Sequence, residues 1–130
     1  MNKKLLILGS VLGLLSVVFG AFGAHGLKKL ISAEAIQSFE TGVRYQMYHA
    51  LLLLFVGSLA SIQPKTKKII YYLVLVGIVF FSGSIYLLAT NSLTGFDFKI
   101  IGFVTPIGGL LLIVSWLILL INFIKLRQNN

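Results

Sequence analysis

The segment LLILGSVLGLLSVVFGAFGA, residues Leu5–Ala24, runs between Lys4 and His25 without a charged side chain. A bilayer hydrocarbon core of about 30 Å is crossed by about 20 apolar residues in a helix. The backbone polar groups of such a segment must be bonded within the segment itself, because the core of a bilayer holds no water. The segment therefore predicts a transmembrane helix, and with it an integral membrane protein.

Three further segments of similar length and character follow, at about residues 45–62, 69–90 and 100–124. None of them shows the alternation of polar and apolar residues that is typical of strands. We expect the chain to be all-α and residues 1–130 to form one domain. The predicted architecture is an antiparallel bundle of four transmembrane helices, in which helices one and two form one hairpin and three and four another.

The composition excludes other classes of protein. Apolar residues make up 58% of the chain and charged residues 11%, whereas a soluble domain has about 25% charged residues. The mean hydropathy is +0.99. So little polar surface cannot cover a soluble domain of this size, and disorder requires the opposite composition. The absence of cysteine excludes disulfides, thiolate chemistry and cysteine-ligated metals.

The charged residues indicate the orientation in the membrane. Eleven Lys and Arg residues stand against three acidic ones, and they cluster between the apolar segments, as membrane loops do. Such clusters attract anionic lipid headgroups and do not predict nucleic-acid binding. The two termini and the 63–68 loop hold seven basic residues, against four on the other side: Lys3, Lys4, Lys65, Lys67, Lys68, Lys125 and Arg127 against Lys28, Lys29, Arg44 and Lys99. The richer side should be cytoplasmic, so both termini are predicted to be cytoplasmic.

The N-terminal segment also has features of a signal peptide, with Lys3-Lys4 before the apolar run and small residues around Ala21-Phe22-Gly23. We expect it to remain uncleaved, because the run is long for a signal peptide and its glycines form a packing pattern. Cleavage would leave the other three helices in the same orientation.

A longer helix is predicted to begin outside the second span. Ser32 is a candidate N-cap and Glu34 falls in the first turn, where the helix dipole favours an acid. From Ala33 nothing interrupts a helix before Pro64. Glu40 and Arg44 are spaced for an i,i+4 ion pair on the part of this helix at or above the headgroups.

Small residues recur along the first helix, at Gly9, Gly13 and Ser16 and then at three-residue steps at Gly20, Gly23 and Gly26. Small residues at this spacing allow helices to approach closely in lipid. We therefore interpret Gly20 and Gly23 as helix-packing residues, and a substrate-facing groove is the alternative.

The sequence Thr105-Pro106-Ile107-Gly108-Gly109 interrupts the fourth span. Pro106 either begins a helix that Thr105 caps, with residues 98–104 interfacial or re-entrant, or it kinks one continuous helix. Such breaks expose backbone groups for ligands in some transporters, and this is the third possibility. In the third span, Ser82, Gly83 and Ser84 either bond to the helix and pack against Gly108 and Gly109 or line a pathway.

Five polar residues form the candidate functional cluster near the predicted outer boundary. They are His25, Glu40, Arg44, Tyr45 and His49. One interpretation is an interfacial belt of rings and a snorkelling Arg. The other is a proton or anion site, since His titrates near neutral pH. The two histidines follow no metal-ligand spacing, and no catalytic arrangement or phosphate loop is present. We therefore predict no metal, no cofactor and no enzymatic activity.

Four blocks of the chain resemble the signature blocks of a known family: GAFGAHGL (20–27), RYQMYHAL (44–51), FSGSIYLL (81–88) and TPIGGL (105–110). That family is domain of unknown function 423, also called uncharacterised protein family 0382. The resemblance covers all four spans in order. It implies a multi-pass protein of the bacterial inner membrane and supplies no catalytic residues.

Two functions are compatible with these features. The first is a structural or interaction subunit that packs through small-residue helix faces against lipids, other membrane proteins or a second copy of itself. The second is an oligomeric transporter or channel for a small solute, proton or lipid, with its site near the outer face. We also expect the glycine and proline blocks to converge, so that Gly23 lies near Gly108.

Overall fold

The computed structural model describes residues 1–95 and 97–126, and Arg127 of the charge count lies outside them. The described chain is helical, which confirms the all-α prediction. Its five α-helices are α1 (Asn2–His25), α2 (Ala33–Ser58), α3 (Pro64–Ile78), α4 (Ser84–Ala89) and α5 (Val104–Ile124). A π-helical turn, Val79–Gly83, joins α3 to α4, so that Pro64–Ala89 is one long rod. Short 3₁₀ turns occupy Leu27–Lys29, Asn91–Leu93 and Phe98–Ile101.

Three of these segments are long and apolar enough to cross a membrane: Asn2–Lys29, Pro64–Ala89 and Phe98–Ile124. They correspond to the first, third and fourth predicted spans. Helix α2 has 26 residues but is not among these three, because its first half carries acidic, basic and amide side chains.

The ends of α2 follow local sequence signals. The Ser32 hydroxyl oxygen accepts a hydrogen bond of 3.1 Å from the Ala35 backbone N–H, and Glu34 lies in the first turn. Both features confirm the predicted helix start. The helix ends at Ser58, and Pro64 then occupies the first position of α3, where its missing N–H leaves no bond unmade.

Helices α1 and α2 pack as an antiparallel hairpin. Gly57, near the end of α2, faces Leu5 and Leu6 at the start of α1, whereas Gly23, near the end of α1, faces Phe39 in the first half of α2. The α3–α4 rod packs against α5, and α2 also contacts α3 and α4. We call the end where α1 and α3 begin the N-terminal end of the bundle, and the other the opposite end.

The core has two parts. The larger cluster lies between α1, α2, α3 and α5 and includes the fully buried Leu5, Leu53, Val56, Ile70 and Val74. A smaller cluster at the opposite end contains Leu27, Ile36, Phe39 and Ala89. The outside of the bundle is apolar as well, with many exposed Leu, Ile, Val and Phe side chains. Such a surface is typical of a protein surrounded by lipid.

Pro106 lies in the first turn of α5, which begins at Val104, and the preceding Phe98–Ile101 segment is a separate 3₁₀ turn. The structure therefore has Pro106 at a helix start, as the first of the predicted alternatives states, and not at a kink within a continuous helix. The prediction that Thr105 caps this helix is wrong. Phe103 occupies the cap position without a side-chain bond, and Thr105 lies inside the helix, where its hydroxyl bonds to Ser84.

Candidate functional site

A groove of about 360 Å³ runs between α2 and α5 on the side of the bundle. Its lining is mostly apolar and aromatic, and consists of Thr41, Tyr45, His49, Phe81, Gly109, Leu112, Ile113 and Trp116. Gly109 contributes no side chain to it. The groove contains two of the five candidate polar residues, Tyr45 and His49.

His49 and Trp116 bridge the two helices at the base of this groove. The indole Nε1–H of Trp116 donates to Nε2 of His49 at 3.0 Å. Since an indole N–H is only a donor, Nε2 must accept and the proton of the neutral ring must be on Nδ1. The Nδ1–H then donates to the Tyr45 carbonyl oxygen at 2.7 Å. Both ring nitrogens are thus occupied by bonds within the chain.

These bonds bear on what His49 can do chemically. A ring nitrogen that accepts from Trp116 has no lone pair left for a metal, and the Nδ1 proton is engaged with a backbone carbonyl. In residues 1–95 and 97–126, no group of three His, Cys, Asp or Glu side chains lies together as a metal site would need. The arrangement therefore fits a structural role, in which His49 of α2 is bonded to Trp116 of α5.

The candidate polar cluster is only partly brought together. The rings of Tyr45 and His49 stack with centroids 6.5 Å apart. The Arg44 guanidinium donates to the Thr41 hydroxyl at 3.0 Å, and within the described part of the chain it forms no salt bridge with Glu40. The predicted ion pair is therefore absent there. His25 is exposed at the end of α1, with no hydrogen bond to the other four among the described residues.

A chain of hydrogen bonds crosses the bundle interior beside the groove. The Tyr86 hydroxyl donates to Oε1 of Gln46 at 2.6 Å, and Nε2 of Gln46 donates to the Leu12 carbonyl at 2.9 Å. The Ser16 hydroxyl donates to the same carbonyl at 2.8 Å. The ring of Tyr86 also fits against Gly42, where an added Cβ would lie 2.8 Å from Cε1. This chain connects α1, α2 and α4.

The serines of the third span bond to both neighbours of that span. Ser82 lies in the π-helical turn and donates to the Gly42 carbonyl of α2 at 2.7 Å, while the Ser84 hydroxyl bonds to Thr105 of α5. Both serines are buried. The wider π turn is a local irregularity of the kind often found at functional sites, and here it allows one short segment to contact α2 and α5 together.

The glycines permit close helix contacts inside the chain. An added Cβ on Gly108 would lie 2.7 Å from the carbonyl carbon of Phe80 and 2.8 Å from the carbonyl oxygen of Gly77. On Gly23 it would lie 3.0 Å from the Phe39 ring, and on Gly20 3.7 Å from Val43.

Gly23 and Gly108 thus face different helices, and the prediction that they meet is wrong. Two other candidate glycines are less confined, since an added Cβ on Gly109 would lie 3.5 Å from the Phe81 ring and on Gly83 would contact nothing within 4 Å.

Sequence reasoning missed three residues that the structure makes central. Gln46 is an amide inside a predicted span, and a polar side chain at such a position is expected to have a hydrogen-bond partner inside the protein. Trp116 lies in the middle of the last span, although tryptophans of membrane proteins are enriched at the interfaces. The third, Lys67, belongs to the predicted 63–68 loop by sequence, but it lies in α3 and is buried, with Nζ donating to Oδ1 of Asn2 at 2.9 Å.

A sequence model of the family described as "Protein of unknown function (DUF423)" matches residues 19–109. The chain belongs to the DUF423 family. This confirms the resemblance seen in the four blocks, and the matched range contains His49, Gln46 and the FSGS and TPIGG segments. No solved structure matches the chain.

Curated relatives of this DUF423 protein come from several bacteria. It is 43% identical to a UPF0382 membrane protein of Staphylococcus saprophyticus over 95% of this chain and 99% of the relative. It is 40% identical to the UPF0382 membrane protein YwdK of Bacillus subtilis, over 95% and 98%. The UPF0382 inner membrane protein YgdD of Escherichia coli is 34% identical, over 99% and 95%. The chain is therefore a member of an uncharacterised family of membrane proteins.

Proposed function

We propose that this DUF423 protein is a non-catalytic, four-span subunit of the bacterial cytoplasmic membrane that binds a helix of a neighbouring membrane protein in the groove between α2 and α5. The observation that carries the proposal is the contrast between a filled, internally bonded interior and an open groove lined by large aromatic side chains.

The fourth span of this proposal is α2. It has 26 residues, or about 39 Å at about 1.5 Å per residue, which is enough to cross a bilayer only if part of the polar first half also lies within the membrane region. Two polar side chains of its membrane half, Gln46 and His49, are buried and bonded within the bundle. A helix shielded in this way by α1, α3 and α4 needs less hydropathy than one surrounded by lipid.

The proposed orientation has both termini in the cytoplasm. Six of the lysines among the described residues lie at the N-terminal end of the bundle: Lys3, Lys4, Lys65, Lys67, Lys68 and Lys125. The opposite end holds four basic residues, Lys28, Lys29, Arg44 and Lys99. This asymmetry supports the cytoplasmic placement of the N-terminal end. The inner-membrane placement is supported by the name of the Escherichia coli relative.

Cysteine labelling tests span number and orientation together. The chain has no cysteine, so Lys29→Cys and Ser61→Cys, at exposed positions before and after α2, each create a single thiol. In intact spheroplasts, a membrane-impermeant maleimide should label the Lys29→Cys protein only. Both proteins should react after lysis. Labelling of Ser61→Cys alone from outside would contradict the orientation, and labelling of both or of neither would contradict the crossing of the membrane by α2 and with it the four-span count.

The filled interior is the reason for preferring binding to transport. Ser82 is fully buried and donates to a backbone carbonyl, and Gln46 and Ser16 share the Leu12 carbonyl. Among the described residues, one buried side-chain atom, Nδ2 of Asn122, is left without a hydrogen bond, and it lies at the N-terminal end. Polar groups committed to the fold offer a passing solute little to bind.

The groove has the features of a helix-binding surface. The small-residue face of α1 is already occupied by α2, and Gly108 by the α3–α4 rod. The rings of Tyr45 and Trp116, by contrast, line the groove and remain partly exposed. Tyrosine and tryptophan are enriched in protein interfaces and among the residues that contribute most to their affinity.

Photo-crosslinking in cells tests the binding surface. A photoreactive amino acid at Ile113, which is 66% exposed in the groove, should give a discrete crosslinked protein band. The matched control is Val17 of α1, which is 63% exposed but outside the groove. A protein band of the same intensity from both positions, or none from Ile113, would contradict the proposal.

Reconstitution tests the alternative function, transport, directly. Purified protein in liposomes should give no proton or solute flux above protein-free liposomes. Flux that is abolished by both His49→Ala and Arg44→Ala, in protein that remains folded, would overturn the interaction proposal in favour of an oligomeric transporter.

A further inference from the structure

A cavity of about 540 Å³ opens at the N-terminal end of the bundle, away from the groove. It lies between the starts of α1 and α3 and the segment that joins α2 to α3. Its lining includes Asn2, Lys3, Ala60, Ile62, Pro64 and Lys67. A volume of this size is within the range of small-ligand sites in proteins.

Lys67 is the distinctive residue of this cavity. Its side chain is only 5% exposed, and Nζ donates to Oδ1 of Asn2 at 2.9 Å. That amide oxygen is neutral, and an ammonium group has three protons to donate. The acidic residues of the chain all lie toward the opposite end of the bundle. Lys67 is therefore a buried lysine for which the described residues supply no carboxylate, an arrangement that a bound anion would stabilise.

The helix ends around the cavity add to the positive potential. Neither α1 nor α3 has a side-chain cap or an acidic residue in its first turn. Instead Lys3 and Lys65 occupy those turns, although the helix dipole disfavours a cation at an N-terminus. Backbone N–H groups at uncapped helix starts are natural donors to phosphate oxygens. An anionic ligand is thus favoured by the buried ammonium, by the flanking lysines and by both helix ends.

We propose that this cavity binds the phosphate group of an anionic ligand, with the Lys67 ammonium as its central contact and Lys3 at its rim. The ligand is either an anionic phospholipid, held by its headgroup, or a dissolved phosphate. This site lies at the N-terminal end of the bundle, and the proposal does not depend on the helix-binding groove between α2 and α5.

Thermal unfolding of the protein in a neutral detergent tests this site. We expect the melting temperature, followed by circular dichroism, to rise on addition of phosphatidylglycerol or of inorganic phosphate. Phosphatidylcholine, which carries the same phosphate with a neutralising choline, should have a much smaller effect. A response to inorganic phosphate would assign the site to dissolved ligands, whereas a response to phosphatidylglycerol alone would assign it to lipid headgroups.

The variant Lys67→Met removes the charge and keeps the length of the side chain. Replacing a buried charge by an apolar group of similar volume is often tolerated, so we expect a folded protein whose apparent affinity is weaker by about tenfold or more. The matched control Lys28→Met removes an exposed lysine at the opposite end and should bind as the unchanged protein does. If Lys67→Met does not fold, Lys3→Met at the rim replaces it and should also weaken binding.

Three results would overturn the proposal. The unchanged protein could fail to respond to both phosphatidylglycerol and inorganic phosphate. Phosphatidylcholine could stabilise it as much as phosphatidylglycerol does. Finally, the folded Lys67→Met protein, or Lys3→Met in its place, could bind as tightly as Lys28→Met.

Discussion

The indole Nε1–H of Trp116 donates a hydrogen bond of 3.0 Å to Nε2 of His49, across 67 positions of sequence. The bond joins α2 to α5, and it places a polar contact at the base of an otherwise apolar groove. Because its donor has no acceptor capacity, the bond also determines where the His49 proton lies. A residue that could serve in proton transfer is in this way committed to holding two helices together.

The first prediction concerns the tautomer of His49. Nitrogen NMR of the histidine-labelled protein, at alkaline pH where the ring is neutral, should show Nδ1 protonated and Nε2 unprotonated, because Tyr45 accepts from one nitrogen and Trp116 donates to the other. The exposed His25 is the only other histidine and provides the reference in the same sample. An Nε2–H tautomer at His49 would contradict the bridge.

Gly108 and Gly109 are adjacent glycines with opposite expected responses to alanine. A Cβ on Gly108 would lie 2.7 Å and 2.8 Å from backbone atoms of Phe80 and Gly77, which cannot yield as a side chain can. We expect Gly108→Ala to destabilise the protein by about 1–3 kcal/mol or more. Gly109→Ala meets only ordinary contact with the Phe81 ring and gains helix propensity of up to about 1 kcal/mol. Equal losses in detergent unfolding would contradict this difference.

Helix α1 and the start of α2 were predictable because their signals are local. An uninterrupted apolar segment of about 20 residues defines a span without reference to any other part of the chain. In the same way, Ser32 caps its own helix, by a bond to Ala35 three residues along. The prediction of orientation likewise uses only the positions of Lys and Arg along the sequence.

The contacts between helices were not predictable in this way. Spacing shows that Gly20 and Gly23 share a face with Gly9, but it does not show which helix that face meets. The predicted approach of Gly23 to Gly108 failed for this reason, since one glycine packs on α2 and the other on the α3–α4 rod. The π turn at Val79–Gly83 contains Ser82, whose bond to the Gly42 carbonyl joins residues 40 positions apart, a pairing that local sequence signals do not indicate.

Gly9 and Gly13 provide a second matched pair, within one small-residue motif. A Cβ on Gly9 would lie 2.9 Å from the backbone carbonyl oxygen of Ala50, whereas on Gly13 it would lie 3.8 Å from the Ala50 Cβ. Gly9→Ala should therefore separate α1 from α2 and lower the unfolding free energy by about 1–3 kcal/mol. Gly13→Ala should be neutral or slightly stabilising. The prediction fails if Gly13→Ala is the more damaging variant.

Asp97 should titrate below the ordinary range of an aspartate. Its carboxylate accepts from the Lys99 backbone N–H at 3.0 Å and from the Asn91 amide at 3.2 Å, and these bonds to the charged form lower the pKa of Asp97. The stabilisation that this carboxylate gives its loop is therefore present above the unfolded-state pKa of about 3.9 and is lost as the pH falls through the folded-state pKa.

Carbon NMR of the Asp97 carboxyl group during an acid titration measures this shift. Asn91→Ala removes one donor and should move the pKa of Asp97 back toward its ordinary value. The control variant Ser92→Ala, at the exposed neighbouring position, should leave the pKa of Asp97 unchanged. An unshifted Asp97, or an Asn91→Ala protein with the same titration as Ser92→Ala, would show that the loop bonds do not form in solution.

The last prediction concerns the hydrogen bond between the Tyr86 hydroxyl and Oε1 of Gln46. In Tyr86→Phe, the buried Oε1 of Gln46 loses its donor, and an unsatisfied buried polar group costs about 1–3 kcal/mol. In Gln46→Leu, the Tyr86 hydroxyl loses its acceptor, but the Leu12 carbonyl keeps the hydrogen bond from Ser16. Removing both polar groups leaves neither one unpaired. The double variant should therefore be less destabilised than the sum of the single variants, by about 0.5–2 kcal/mol.

Unfolding of the four proteins in detergent, as a double-mutant cycle, gives this coupling energy. Tyr48→Phe is the matched control. Tyr48 is exposed on α2, so the change in unfolding free energy on removal of its hydroxyl should be the same with Gln46 or Leu at position 46. Strict additivity of Tyr86→Phe and Gln46→Leu would mean that the two side chains do not interact in the folded protein. Coupling of Gln46→Leu to Tyr86→Phe but not to Tyr48→Phe would show that the bond between Tyr86 of α4 and Gln46 of α2 forms in the folded protein.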